Sequence, residues 1–507
     1  MHPVGLVVAA KLLASFHTIL FVGTAAVLYL VYRHLSDRDA VEGIATLPGF
    51  FIFNVIPFFR TRYDFLNWGF HVTGHSVFQF RLLRNHVIVI SGEQARGDFL
   101  NAKGLDLQEG FRVLSGALPF VQGITSDLRQ RRIAQIYKRL AHIQKTDHLT
   151  LLVPDILGDA CQVMTSWGTA GIFDPFEKIY ELVFQTTVRC LTATEIADDR
   201  ALVARLKLLY DNVDSGTTPS SVLFPYFPSF AMLRKLRATK AIYDIVVAAV
   251  QVRKQTGQTQ NDSLQVLLDA GDDPTMIVGF IMGLLIAGAR STGTTAGWLV
   301  AFLGCHPQWQ TTALAEARGL VSRHGSAPMV LAAAKPGLSL SEITEILSTV
   351  PLAAWEEETP VLDALIRETL RIAQPHVAMR RNVGPELYLD GNLVPTGAFV
   401  VCPFSTVHLD PELYPDPWKF DPSRPPAKGD HSYIGWGGGR VNCLGTRLAK
   451  VEMKLIVSLL LLTFEFTTVD TSGHMANPPP QPNWNDILTC RPAGKFYSLK
   501  YSMRQAS

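Results

Sequence analysis

The chain predicts a mainly α protein with a smaller β portion and a single-pass membrane helix at its N-terminus. Three observations predict it: apolar residues at three- and four-residue spacing between about residues 100 and 300, strand-like alternations with turn residues beyond 380, and an uncharged apolar run near the start. With 507 residues the chain can bury a large core. Its 46 Lys+Arg against 44 Asp+Glu leave a net charge of +2, which gives no electrostatic reason to expect a nucleic acid partner. The positive mean hydropathy is high for a soluble enzyme and suggests membrane contact.

In chain order, Leu12 to Tyr32 comes first: 21 residues without a formal charge. That is close to the roughly 20 residues a bilayer-spanning helix needs. A cleavable signal peptide is the competing reading, but the run is long for one and no small-x-small cleavage site follows it. Arg33, His34 and Arg38 beyond the span favour a cytosolic body, and Lys11 on the other flank weakens that asymmetry. Residues 1–33 thus read as an anchor and 34–60 as a linker in which Pro48, Gly49 and Pro57 make a stiff hinge. Residues 61–507 read as the body.

Within the body, "DPFEKIYELVFQTTVRCL" and "KAIYDIVVAAVQVRKQ" have helical periodicity. Between them, residues 216–233, "GTTPSSVLFPYFPSFAML", break any helix with prolines and aromatics. Such an apolar loop is buried in protein, dips into lipid, or lines an entrance. Residues 276–303 begin as an apolar run interrupted by Arg290, Ser291, Thr292, Thr294 and Thr295, too short to span a bilayer and read as a long core helix. Asp390-Gly391 marks a hairpin.

Six cysteines stand singly, with no CxxC pair, which excludes a disulfide scaffold or zinc ribbon and suits a reducing compartment. One of them, Cys443, lies in "YIGWGGGRVNCLGTRLAKVE", just before a helix predicted from Leu444 to about Phe464. The unpaired amides and dipole of a helix start favour an anionic sulfur there. Gly437, Gly438 and Gly439 allow a tight turn with room for a flat ligand, Gly445 removes a side chain beyond the sulfur, and Arg440 adds a cation. On this stretch alone, a ligand to something planar and a buried cysteine capping a core helix remain equal readings. Upstream, Glu368 and Arg371 of "RETLR" share a helix face, and "YPDPWKFDPSRP" delivers Arg424 to join them in a buried network.

Together these features resemble the cytochrome P-450 family of haem-thiolate monooxygenases. Trp436, Gly437, Gly439, Cys443 and Gly445 fill the family's pattern around the iron ligand. Glu368 and Arg371 match its ExxR pair, and Phe420, Pro422 and Arg424 its F-x-P-x-R meander. The resemblance implies the cytochrome P-450 fold, haem b as cofactor, and Cys443 as the axial thiolate that favours cleavage of dioxygen. For the haem propionates it implies Arg132, at the family's W-x-x-x-R arginine with Leu128 in place of the tryptophan, and Arg380 in "PHVAMRRNV", a segment similar to sterol demethylases.

Two departures stand out. The basic residue usually found two before the cysteine is Val441 here, with Arg440 one residue earlier. The oxygen-activation motif reads "AGARST": Ala287 and Gly288 leave a groove, Arg290 replaces the acid, and Ser291 replaces the first threonine. An arginine stays protonated and cannot relay protons, so the resemblance leaves Ser291 to hold the proton-delivering water, with Thr292 as the alternative donor.

By resemblance the chain is a membrane-bound monooxygenase on the cytosolic face of the endoplasmic reticulum. It takes electrons from an NADPH-cytochrome P-450 reductase and uses O2 to oxidise a bulky lipophilic substrate such as a sterol, triterpenoid or other terpenoid, in sterol or secondary metabolism. The competing reading is a haem-thiolate isomerase or dehydratase acting on hydroperoxides without O2 or reductase. The missing acid and the W-G-x-G-x-x-x-C-L-G form, which is similar to prostacyclin synthase, favour it; the hydroxyls of Ser291 and Thr292 speak against it. A haem-binding scaffold would have little use for a glycine groove over the iron. The pocket walls implied are Gly104 to Gly123, Phe224 to Phe230, Phe280 to Thr292, Pro375 to Met379 and Trp484 to Thr489.

Overall fold

The computed structural model describes residues 22–26, 29, 40–49, 51–114, 130–219, 229–324, 338–494 and 496–504. Most of the expected anchor, residues 12–32, lies outside them; residues 22–26 and 29 are helical and exposed. The chain divides into two compact units, Met1–Gly110 with Ala378–Cys402, and Phe111–Val377 with Pro403–Ser507.

The first unit is built on a six-stranded sheet. Its strands are β1 (Ala45–Thr46), β2 (Val77–Leu82), β3 (Asn85–Ile90), β4 (Leu105–Asp106), β6 (Val377–Asn382) and β9 (Phe399–Pro403), in the order β1-β2-β3-β9-β6-β4. β2 and β3 pair antiparallel from Val77↔Ile90 to Leu82↔Asn85, and β3 continues parallel to β9. Their Val, Ile and Phe side chains are buried, as expected of strands covered on both faces. Helices α1 (Arg62–Thr73) and α2 (Glu93–Asn101) are among those that belong to this unit. The predicted hairpin is present as β7 (Leu387–Leu389) and β8 (Asn392–Val394), with Asp390 at φ 48° and Gly391 at φ 72°. Two successive positive φ values are what a two-residue primed turn demands. The expected hinge differs: Val55–Arg60 is a helix, with Pro57 in its first turn, where a missing N–H costs no intrahelical bond.

The second unit is mostly helical. Its principal elements are α3 (Gln130–Ile143), α4 (Thr146–Thr165), α5 (Pro175–Leu191), α6 (Arg200–Ser215), α7 (Phe230–Thr256), α8 (Pro274–Cys305), α9 (Pro307–His324), α10 (Pro360–Ile372) and α11 (Thr446–Thr463). Sequence sets their starts. Asp174, Asp199, Ser229 and Asp273 each accept a first-turn N–H at the start of α5, α6, α7 and α8, and Pro175 and Pro274 supply a preset φ at the first position. Of the apolar loop expected over 216–233, residues 220–228 lie outside the described set, and helix resumes at Phe230.

α8 is the axis of this unit, with α5 as its main neighbour. At 32 residues it is long enough to cross a bilayer, but Phe280, Trp298, Leu299 and Val300 are fully buried in protein. Close approach to α5 requires small residues: a Cβ on Gly293 would sit 2.6 Å from the Tyr180 ring. An antiparallel sheet of β12 (Phe464–Val469), β13 (Ser498–Met503) and β5 (Ala170–Phe173) completes the unit.

Candidate active site

The site begins at a two-strand hairpin, β10 (Gly437–Gly438) with β11 (Val441–Asn442), leading into α11. Gly437 has φ +80°, and a Cβ there would lie 2.6 Å from the Val441 carbonyl oxygen, so both conformation and space demand glycine. Gly439 is also left-handed, at φ 58°. The Cys443 amide donates to the Trp436 carbonyl at 2.7 Å and closes the loop, while the Cys443 carbonyl accepts the Thr446 hydroxyl at 2.8 Å. α11 starts two residues later than the sequence predicts, with Gly445 as its N-cap. Trp436 is half-buried and Arg440 exposed.

Of the six cysteines Cys443 is the exposed one. Burial pushes the thiols of Cys305 and Cys402 up to about 11 and 12, and those of Cys190 and Cys490 well above the ordinary value. Cys443 is thus not a cysteine buried in the core.

The ExxR pair and meander lock the segments flanking this loop. Arg371 is 1% exposed and bonds both Glu368 oxygens at 2.8 Å, the His408 and Pro417 carbonyls at 2.7 Å, and that of Lys419 at 3.3 Å. Arg424 reaches Glu368 at 3.1 Å, completing the predicted network. Gln374, which the sequence reading missed, donates to the Gly435 carbonyl at 3.0 Å and links the end of α10 to the cysteine loop.

On α8 the residues of the oxygen-activation motif separate by face. Ala287 and Ser291, one turn apart, are exposed on a mostly buried helix, with the Ser291 hydroxyl bonded to the Ala287 carbonyl at 2.7 Å. Gly288 turns toward α5, where an added Cβ would contact Leu191 and Thr187 at 3.6 and 3.7 Å. Thr292, about 100° further round the helix, is buried.

Arg290 is engaged elsewhere. Its guanidinium lies 4.3 Å over the Tyr180 ring and pairs with Asp211 at 2.5 Å and Asp214 at 2.9 Å, both on α6. Desolvation alone would lower its pKa, but Tyr180, Asp214 and Asp211 hold it above the ordinary value. Its charge is thus balanced within helix packing. The signal was present in the sequence: an arginine within an apolar helix requires acids, and "YDNVDS" offers two on one face of α6.

Further along α8, Thr294 donates to the Leu488 carbonyl at 3.2 Å and Trp298 to the Thr489 carbonyl at 3.3 Å. The segment 484–489 is therefore tied to the helix that bears Ser291. Trp484 anchors its start through a 2.7 Å bond to the Ile372 carbonyl.

In the other unit, Arg380 is 2% exposed, its guanidinium 4.3 Å over the Phe99 ring. It bonds the Phe99 and Leu100 carbonyls, and among the described residues no carboxylate pairs with it and its Nε has no partner. Burial lowers its pKa to about 10. A buried cation lacking an anion is costly unless one is supplied. The side chain of Arg132, on α3, lies outside the described residues.

A thiol exposed at a glycine turn and an ion-locked segment before it match the pattern read from the sequence. The family model for cytochrome P450 matches residues 47–496, and the chain belongs to that family. It is 29% identical to the cytochrome P450 monooxygenase AacuE of Aspergillus aculeatus, over 79% of this chain and 81% of that protein. It is 27% identical to the sterol 14-demethylase of Arabidopsis thaliana, over 85% of each, and 27% identical to the human lanosterol 14-alpha demethylase, over 89% of this chain and 88% of that one. A retinoic acid-bound cyanobacterial CYP120A1 superposes with a TM-score of 0.66 at 19% identity, covering 92% of this chain and all of that one. The protein is an oxidoreductase of the monooxygenase class, with haem under thiolate ligation as its cofactor, and O2, a lipophilic substrate and a redox partner as the class requires.

Proposed function

We propose that the protein is a membrane-bound monooxygenase that oxidises a bulky lipophilic substrate, a sterol, triterpenoid or other terpenoid, with electrons from an NADPH-dependent reductase. The observation that supports it best is the exposed thiol of Cys443 behind its glycine turn, on a chain whose other cysteines are buried or half-buried.

In this reading Cys443 holds the iron, and the rigid Trp436-to-Cys443 bond and the Gly437 turn keep its sulfur in place. Arg440, exposed three residues before the cysteine, could meet a propionate. When bound, the haem supplies the activation of dioxygen; the protein supplies binding, orientation and protons. The Ser291 hydroxyl gives its proton to the Ala287 carbonyl, which leaves its oxygen able to accept from a water on the exposed face of α8; rotating off that carbonyl would let it donate to that water in turn. Thr292 is buried off that face, and Arg290 is occupied. Ala287, Ile487 and Leu488 leave apolar surface open to a lipophilic substrate.

Membrane attachment is supported by the uncharged run at 12–32 and by Ile52, Phe53 and Ile56, which are 45%, 74% and 53% exposed. The matched enzymes named as sterol demethylases favour a sterol-like substrate. Turnover of a sterol, terpenoid and hydroperoxide panel by membranes containing the protein, with and without NADPH and reductase, tests the reading. Oxygenated product that requires both is expected. Product formed only from hydroperoxides, independent of NADPH, would sink the monooxygenase reading in favour of the isomerase.

A further inference from the structure

We infer that Arg290 is a positioning residue that latches α6 to α8 and so sets the fit of a long lipophilic ligand beside Ser291; this rests on the proposed haem site.

The geometry has three parts. First, Arg290 adjoins Ser291 in sequence but projects about 100° away around the helix, so it can act on the groove only through what it holds. What it holds is α6: Asp214 accepts from both Nε, at 3.1 Å, and Nη2, at 2.9 Å, and Asp211 accepts a further bond from Nη2. Second, α6 packs chiefly on α7 and α5 rather than on α8. A long side chain from α8 reaching across to two carboxylates is therefore a specific restraint on its position. Third, the latch is braced. Tyr180 on α5 lies under the Arg290 guanidinium at 4.3 Å and under the Lys207 ammonium at 4.9 Å, and Lys207 joins Glu177 and Asp211 at 2.9 and 3.3 Å.

These groups form an alternating chain of charges, Glu177, Lys207, Asp211, Arg290 and Asp214, across α5, α6 and α8. Arg290 is 21% exposed, Asp211 34% and Asp214 23%, so the pairs are partly shielded from solvent screening. A partly buried network with shared members resists displacement more than isolated surface pairs do. The residue that stands where an acid is usual in the family is thus committed to holding a helix, and its charge is fully balanced there.

The test uses the full-length, haem-loaded protein and three variants: Arg290→Met, which keeps the stem on Tyr180 but removes the charge, Arg290→Lys, and Asp214→Asn. Two probes report on the iron through its absorbance: imidazole, which needs no pocket wall, and 1-dodecylimidazole, which does. Hydrogen exchange of the backbone amides of α6 is followed in parallel. In Arg290→Met, amide exchange in α6 is expected to quicken and 1-dodecylimidazole to bind about tenfold more weakly, with imidazole unchanged. Asp214→Asn should move the same readouts in the same direction, and Arg290→Lys should recover most of the affinity. Unchanged exchange and unchanged 1-dodecylimidazole binding in Arg290→Met would overturn the latch. So would a change in the solvent isotope effect on turnover with both those readouts unmoved. Failure of imidazole to shift the haem absorbance of the parent protein would instead overturn the haem site itself, while exchange in α6 would still report on the latch.

Discussion

Glu452 provides the sharpest quantitative prediction. It lies on α11, 2% exposed, and its Oε1 accepts the hydroxyls of Thr186 at 2.5 Å and Thr187 at 2.9 Å on α5. Burial raises its pKa from 4.5 to about 7, and the two threonine bonds offset only part of that rise. Because the folded-state value lies above the unfolded one, the stabilising contribution is fully present below about pH 4.5 and is lost as pH rises through 7. The displacement corresponds to ~3 kcal/mol of stability lost across that window. Glu452→Gln keeps the acceptor oxygen for both hydroxyls and never ionises. At pH 8 it should be more stable than the parent, with a Tm higher by a few degrees, and the difference should shrink as pH falls, to a small fraction at pH 5 and to nothing below about 4.5. The assay is thermal unfolding of the haem-loaded protein at fixed ionic strength and scan rate, from pH 5 to 8. Parallel curves for parent and variant, or a variant destabilised at pH 8, would refute the reasoning.

Two further perturbations probe the cysteine loop and its support. Glu368→Ala strands the buried Arg371 cation among carbonyls, a loss of about 3–5 kcal/mol; the denaturant midpoint should fall sharply or the folded protein should not accumulate, whereas a surface change such as Lys240→Ala should have little effect. Gly437→Ala meets both the Val441 carbonyl and a left-handed φ, so haem retention after gel filtration should drop while far-ultraviolet circular dichroism stays helical.

Much of this was legible in the sequence because the relevant signals are local. The Asp390-Gly391 turn and the glycines around Cys443 each act within a few residues. The Glu368 and Arg371 pair was readable from helical spacing, and Arg424 from the proline meander that delivers it. What the sequence reading missed depends on contacts between distant segments. Arg290 pairs with Asp211 and Asp214, more than seventy residues away, and Glu452 meets Thr186, 266 residues away, on another helix. Periodicity says which face of a helix is apolar but not which helix opposes it, so an isolated charge in a core helix announces a partner without naming it. The Val55–Arg60 segment shows the other limit: Pro57, read with Pro48 and Gly49 as a hinge, lies in the first turn of a helix, because proline in a first turn and proline in a loop look alike in one dimension.

The central claim is that Cys443 supplies the thiolate to haem. The most direct measurement is the carbon monoxide difference spectrum of the reduced protein, taken on the parent, Cys443→Ala and Cys443→His. The parent should give the thiolate-type band, Cys443→Ala should lose the band with most of its haem, and Cys443→His should retain haem without that band. A thiolate-type spectrum surviving in either variant would contradict the assignment and place the ligand elsewhere in the chain.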